Sequence, residues 1–182
     1  MKKIKLYLPL IILAVILATA AIAVYKSNIK QNLGKENFTK SKTLFLQGDA
    51  KIKNIFDNKD PITAKDFNNS DKKYKIVNIF ASWCSSCFKE HGELLNLKNN
   101  FSNITVIGIA WNDHAKITKN FLEKYGNPYQ KVGLDTKGYL DKILGVRAVP
   151  ETFVVNPEGI IIKRHQGILT IKDVKNILLL IN

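Results

Sequence analysis

Cys84 and Cys87 are the two cysteines of this 182-residue chain, and only Ser85 and Ser86 separate them. Thiols at this spacing can close and open a disulfide, so the pair is a candidate for thiol–disulfide exchange. Exchange needs one sulfur that attacks a partner's disulfide and a second within bonding reach that resolves the mixed disulfide. Cys84 is the expected nucleophile. It follows the apolar run Ile76-Val77-Asn78-Ile79-Phe80 at the mouth of a predicted helix, where free N–H groups and the helix dipole favour a thiolate. Cys87 lies one turn inside and is the expected resolving sulfur. A buried structural pair and a metal site are the competing readings. Cys84, Cys87 and His91 offer three ligands for copper or zinc, but zinc prefers four and there is no second cysteine pair. Phe88, not a histidine, follows Cys87, so this is not a c-type haem attachment segment.

Three further positions bear on the sulfurs. Glu90 is three residues after Cys87 and shares its helical face. It either relays protons during exchange and raises the thiol pKa values, or is a solvated helix glutamate. In Gly145-Val146-Arg147-Ala148-Val149-Pro150-Glu151-Thr152, Pro150 precedes a predicted strand and cannot donate a ladder hydrogen bond. A cis Val149–Pro150 bond would expose the Val149 backbone to an extended substrate, whereas a trans proline would simply open the strand. Trp83 either lines a substrate surface beside Cys84 or belongs to the core. His114 and His165 have no partner at a telling spacing and read as surface or edge residues.

These residues need a scaffold, and the chain supplies alternating elements. Strands are expected at Tyr74–Phe80, Ile104–Trp111, Lys131–Leu134, Thr152–Val155 and Ile160–His165. Helices are expected at Cys87–Leu97, His114–Tyr125, Gly138–Leu144 and from Thr170, through a capping-box variant with Asp173, to Leu180. Asn156-Pro157-Glu158-Gly159 marks a hairpin. The order β-α-β-α-β-α-β-β-α implies a parallel core closed by an antiparallel pair. Residues 52–67 read as an N-terminal extension with short strands.

Composition sets the outer limits. An apolar content of 46% suits a globular domain, and one of roughly 140 residues buries about two-thirds of its unfolded surface without a stabilising disulfide. The formal charge is +13, carried almost wholly by lysines spread along the chain. Arginine, the main base-reading residue, is nearly absent, which disfavours nucleic acid as a partner. The N-terminus is more specific. Lys2, Lys3 and Lys5 precede a run, Leu6 to Tyr25, that is apolar except for Pro9 and Thr19. As a helix it would span about 30 Å, the thickness of a bilayer core. The basic start would stay in the cytoplasm and the rest of the chain would lie beyond the membrane. A cleaved signal peptide is the alternative, with small-x-small sites at Ala18-Thr19-Ala20 and Ala21-Ile22-Ala23. The expected organisation is thus a membrane anchor over 1–25, a polar linker over 26–40 and a domain over 41–182.

Phe80-Ala81-Ser82-Trp83-Cys84 with Cys87, and Val149-Pro150 before a strand, resemble thioredoxin-like proteins. The run from Trp83 to His91, Gly126-Asn127-Pro128-Tyr129, and Gly145 to Phe153 resemble more narrowly the DsbE/CcmG family, the membrane-anchored periplasmic thiol:disulfide interchange proteins of cytochrome c maturation. The resemblance covers about residues 70–170. It implies an α/β thioredoxin-like fold, a central mixed sheet flanked by helices, with an N-terminal transmembrane helix. It implies a redox-active Cys84–Cys87 pair, a cis Pro150 opposite, and Glu90 and Glu151 as acidic residues flanking the dithiol. Trp83, Val149, Pro150 and Glu151 are then the expected substrate-binding residues, with Cys84, Cys87 and Glu90 catalytic and no cofactor. The implied substrate is the disulfide of an apocytochrome c Cys-x-x-Cys-His segment. The implied reductant is an integral-membrane thiol reductase of the DsbD/CcdA kind, and the implied location is the inner membrane, single-pass, facing the periplasm. The chain departs from the family at Ser85-Ser86, where a proline is common. A broad-specificity periplasmic oxidase or reductase, a copper or zinc chaperone and a non-catalytic docking module remain the alternatives.

Overall fold

The computed structural model describes residues 17–22, 45–68 and 72–181. Two compact units divide the chain, Met1–Ser41 and Lys42–Asn182. In the first, residues 17–22 are helical with exposed side chains. The rest of the expected anchor and all of the linker lie outside the described residues. Among the described residues no helix is long and apolar enough to cross a membrane.

The second unit is built on one six-stranded sheet. Its strands are β1 (Lys53–Asn54), β2 (Tyr74–Phe80), β3 (Ile104–Trp111), β4 (Lys131–Asp135), β5 (Glu151–Val155) and β6 (Ile161–Gln166). Their spatial order is β1-β4-β3-β2-β5-β6. The pairs β2–β3 and β3–β4 are parallel, whereas β1–β4, β2–β5 and β5–β6 are antiparallel. The helices are α1 (Ser85–Asn100), α2 (Ala115–Tyr125), α3 (Tyr139–Leu144) and α4 (Ile171–Ile181). A 3₁₀ turn at Ala64–Asp66 and a bridge between Ile52 and Ile62 complete the N-terminal arm.

Strand alternation divides the core into two layers. Ile76, Phe80, Val106, Ala110, Val132 and Val154 face α1, α2 and α4 through Leu94, Leu97, Leu122, Val174 and Ile177. Val77, Ile79, Ile107, Ile109, Phe153 and Val155 face the arm and α3 through Phe45, Ile62, Phe67, Leu140 and Leu144. Both faces of β2 are therefore buried, which is why it reads as a continuous apolar run. Asn78 is the one polar residue between Ile76 and Phe80, and it points to the α1 side.

Local signals fix the helix ends. The expected capping box at α4 forms: Thr170 N–H donates to Asp173 Oδ2 at 3.0 Å, and Asp173 N–H donates to Thr170 Oγ1 at 3.3 Å. Helix α1 starts two residues earlier than the apolar pattern indicates, because Cys84 itself is the N-cap. It also runs on to Asn100, past the last apolar position Leu97, into polar residues that carry no periodic signal.

Candidate active site

The end of β2 turns over Ala81-Ser82-Trp83 into α1. Cys84 N–H donates to Ala81 O at 3.1 Å, and Ser82 is held by Asp113, which accepts from its N–H at 2.6 Å and its Oγ at 3.0 Å. Asp113 follows β3, so the turn carrying the cysteines is fixed to the neighbouring strand's exit. Trp83 is 59% exposed, and its Nε1–H donates to Asn112 O at 3.0 Å. Of the two sequence readings for Trp83, the surface position is the one found.

Cys84 and Cys87 are joined as a disulfide, with Cα atoms 5.3 Å apart. Cys84 Sγ accepts the Cys87 N–H at 3.1 Å. A sulfur at a helix N-cap thus receives one of the unpaired N–H groups, a contact that would stabilise a thiolate. Cys84 is 8% exposed and Cys87 4%, so both are more covered than an openly accessible attacking sulfur, and Cys84 is the outer of the two. The Val149–Pro150 bond is cis, and Val149 O lies 3.8 Å from Cys84 Sγ. Residues 65 apart in sequence are thereby brought to the disulfide.

Glu90 is wholly buried rather than solvated. Its Oε1 accepts from Asn78 Nδ2 at 2.7 Å and its Oε2 from Leu169 N–H at 2.7 Å. Burial pushes its carboxyl up to about 7, against the opposing pull of the Leu169 and Asn78 hydrogen bonds. A carboxyl of this kind, one helical turn beyond Cys87, can exchange a proton near neutral pH.

Glu151 is elsewhere. On β5, Thr152 faces Asn78 across the β2–β5 pair, so Glu151 projects from the opposite face, the one that carries Phe153. There it is paired with Arg164 Nε. Arg164 also donates to Leu144 O at 2.9 Å and Gly145 O at 3.1 Å and covers the Phe153 ring. Of the two glutamates expected to flank the dithiol, Glu90 lies buried on α1 one turn after Cys87, whereas Glu151 adjoins Pro150 in the chain and projects from the other face of the sheet. The sheet's two-residue period is the reason: one step along β5 reverses the face.

His91 is turned aside as well. Its Nε2 donates to Gly126 O at 2.9 Å, and its ring packs against Phe121. Among the described residues no three His, Cys, Asp or Glu side chains gather as a metal-binding group. His114 caps α2 at the surface, and His165 Nε2 meets Ile168 O at 3.1 Å at the sheet edge.

Sequence reasoning passed over the partners of Glu90. Asn78 on β2 and Leu169 before α4 bond to it directly, and Tyr129 and Thr152 hold Asn78 in turn. The legible signal was Asn78, since an amide inside an apolar strand must find buried hydrogen-bond partners.

With this geometry in place, comparison with known proteins is informative. A family model described as Redoxin matches residues 47–178. The thiol:disulfide interchange protein HelX of Rhodobacter capsulatus is 40% identical over 110 residues, covering 60% of each chain. The thiol:disulfide interchange protein DsbE of Pasteurella multocida is 41% identical over 97 residues, covering 53% of this chain and 52% of that one. The chain thus spans about half to three-fifths of the length of these curated relatives. The crystal structure of the thioredoxin domain of a thiol-disulfide oxidoreductase from Bacteroides vulgatus superposes with a TM-score of 0.61 at 21% identity, covering 77% of this chain and 98% of that one. The fold is thioredoxin-like.

Proposed function

Because the chain belongs to the Redoxin family, we propose that it is a thiol:disulfide oxidoreductase whose reacting atoms are the sulfurs of Cys84 and Cys87. One observation carries this reading: a Cys-x-x-Cys disulfide sits at the N-cap of α1, beside a cis proline and one turn before a buried carboxyl that titrates near 7. The interchange proteins that match over this region support it.

The narrower reading is reductive. The Cys84 thiolate attacks the disulfide of a substrate, forming a mixed disulfide and expelling the substrate's other sulfur as a thiolate. The Cys87 sulfur then attacks Cys84, and the substrate leaves with both sulfurs reduced while Cys84–Cys87 is oxidised. As Cys87 attacks it loses its proton, and Glu90, one helical turn further on, is the base that takes it in this reading. An integral-membrane thiol reductase returns the pair to the dithiol. The substrate is the Cys-x-x-Cys-His segment of an apocytochrome c. The motifs around Cys84, Tyr129 and Pro150 support this choice by their resemblance to the DsbE/CcmG family. The basic start and apolar run from Leu6 to Tyr25 support a single-pass anchor with the domain in the periplasm.

Cys87→Ala removes the resolving sulfur and leaves the attacking one. The expected result is a covalent adduct on Cys84 that contains an apocytochrome and is released by a reductant. Recovery of no adduct would overturn the exchange reading. Adducts with unrelated periplasmic proteins instead would overturn the dedicated substrate and favour a broad-specificity enzyme.

A further inference from the structure

Every polar atom of the buried Asn78 amide has a partner. Nδ2 donates to Glu90 Oε1 at 2.7 Å and to Thr152 Oγ1 at 3.1 Å, while Oδ1 accepts from the Tyr129 hydroxyl at 2.8 Å. An ionised carboxylate can only accept, and Oδ1 can only accept, so the direction of the whole chain follows. The hydroxyl hydrogen of Tyr129 points to Asn78, and an amide hydrogen of Asn78 points to Glu90. Burial and the nearby Glu90 charge hold the phenol well above its ordinary pKa, so it keeps the proton it donates.

The backbone is arranged to admit this tyrosine. Gly108 on β3 stands beside Asn78 in the β2–β3 register. A Cβ at Gly108 would lie 2.6 Å from the Tyr129 ring, so the missing side chain is the space that the ring occupies. Phe80 covers the ring at a centroid distance of 4.9 Å. The loop before it is tied down from several sides: His91 reaches Gly126 O, Lys98 Nζ donates to Asn127 O at 2.7 Å, and Tyr129 N–H donates to Asn127 Oδ1 at 2.9 Å.

We propose that Tyr129 is a positioning residue for the redox site: acting through Asn78, its hydroxyl favours the ionised form of Glu90 and sets the pH at which Glu90 takes the proton of Cys87. This rests on the exchange reading given above. The titratable groups around Glu90 are Cys87, one turn back on α1, and Tyr129. The strands β2 and β5 contribute Asn78 and Thr152, and the segment before α4 contributes the Leu169 N–H, none of which titrates. No cation faces Glu90 among the causes acting on it, so neutral donors alone oppose its burial. Without the Tyr129 hydroxyl, Asn78 Oδ1 is buried and unpaired, and the amide no longer has a reason to keep Nδ2 on Glu90. Glu90 then holds its proton to higher pH.

The test follows the Glu90 carboxyl itself in the full chain, by its infrared band, identified by its loss in Glu90→Gln. In Tyr129→Phe the midpoint of that band should move upward, by about a fivefold gain in proton affinity, the worth of one hydrogen bond. An unmoved midpoint in a variant that still unfolds cooperatively overturns the proposal. A second measurement needs no variant. The ¹³Cζ resonance of Tyr129 in the unaltered protein should shift with the Glu90 midpoint, and a flat trace across that range overturns the proposal even if Tyr129→Phe fails to fold. Neither readout requires exchange activity. A chain that cannot exchange disulfides would refute the function proposed above while leaving both of these results to be read.

Discussion

The Leu169 N–H donates to Oε2 of Glu90 across 79 residues of sequence, tying the segment that opens α4 to the helix that carries both cysteines. Glu90 is consequently fixed at both oxygens, one to β2 and one to the segment before α4, while its burial disfavours its charge.

That conflict has a defined effect on stability. In the unfolded chain Glu90 titrates near 4.5, and in the folded protein at about 7. Below pH 4.5 both states are protonated and nothing is lost. As pH rises the unfolded state ionises first, so the folded state is penalised progressively until pH passes 7. Glu90→Gln should therefore stabilise the protein at pH 8 by up to about 3 kcal/mol, with the gain vanishing toward pH 4. Urea denaturation at the two pH values measures this, and an equal effect at both would contradict it.

The same variant should change the chemistry. If Glu90 takes the Cys87 proton, the rate of the resolving step carries an inflection near pH 7 that Glu90→Gln removes, with a loss of about 10²-fold on the alkaline side. Stopped-flow measurement of mixed-disulfide decay across pH would show it.

Arg164 compensates a charge that the core otherwise could not hold. Glu151 is 2% exposed and keeps Oε2 without a hydrogen-bond partner, so the guanidinium is what balances it. Arg164→Ala should cost about 3–5 kcal/mol, as expected for half of a buried ion pair. Glu151→Gln together with Arg164→Met should recover much of that loss in a denaturation series.

Gly108 is expected to resist substitution. The Cβ of Gly108→Ala meets the Tyr129 ring rather than open space, and overpacking of this kind costs about 1–3 kcal/mol. Gly92, on α1 with nothing within 4 Å of its would-be Cβ, is the control. Gly92→Ala should instead stabilise by up to about 1 kcal/mol through helix propensity.

Trp83 is exposed beside the sulfurs, and its loss should separate folding from recognition. Trp83→Ala is expected to change stability by less than about 1 kcal/mol while raising the KM for an oxidised Cys-x-x-Cys-His peptide several-fold. An unchanged KM would remove Trp83 from the substrate surface.

The sequence was informative where structure is local. The strands β2 and β3 have the bounds expected for them, Tyr74–Phe80 and Ile104–Trp111, and Thr170 with Asp173 marks the start of α4. The cysteines announce themselves by spacing. Glu90 could be placed one turn from Cys87, but its burial could not, because that depends on Asn78, Tyr129 and Leu169 folding over it from 12 to 79 residues away. The orientation of Glu151 was open for a similar reason. Its neighbour Pro150 suggests the redox site, yet the β2–β5 register decides the face. Tyr129 lies in a motif quoted for its resemblance alone, and its task emerges only when Gly108 is seen to make room for it.

The sheet's outer strands carry one more consequence. At one margin β1 is two residues long, and at the other β6 presents Lys163, Arg164 and His165. Short or charged margins give a second polypeptide little backbone to zip onto. The sheet is thus guarded at both sides against edge-to-edge pairing with a second copy of the chain.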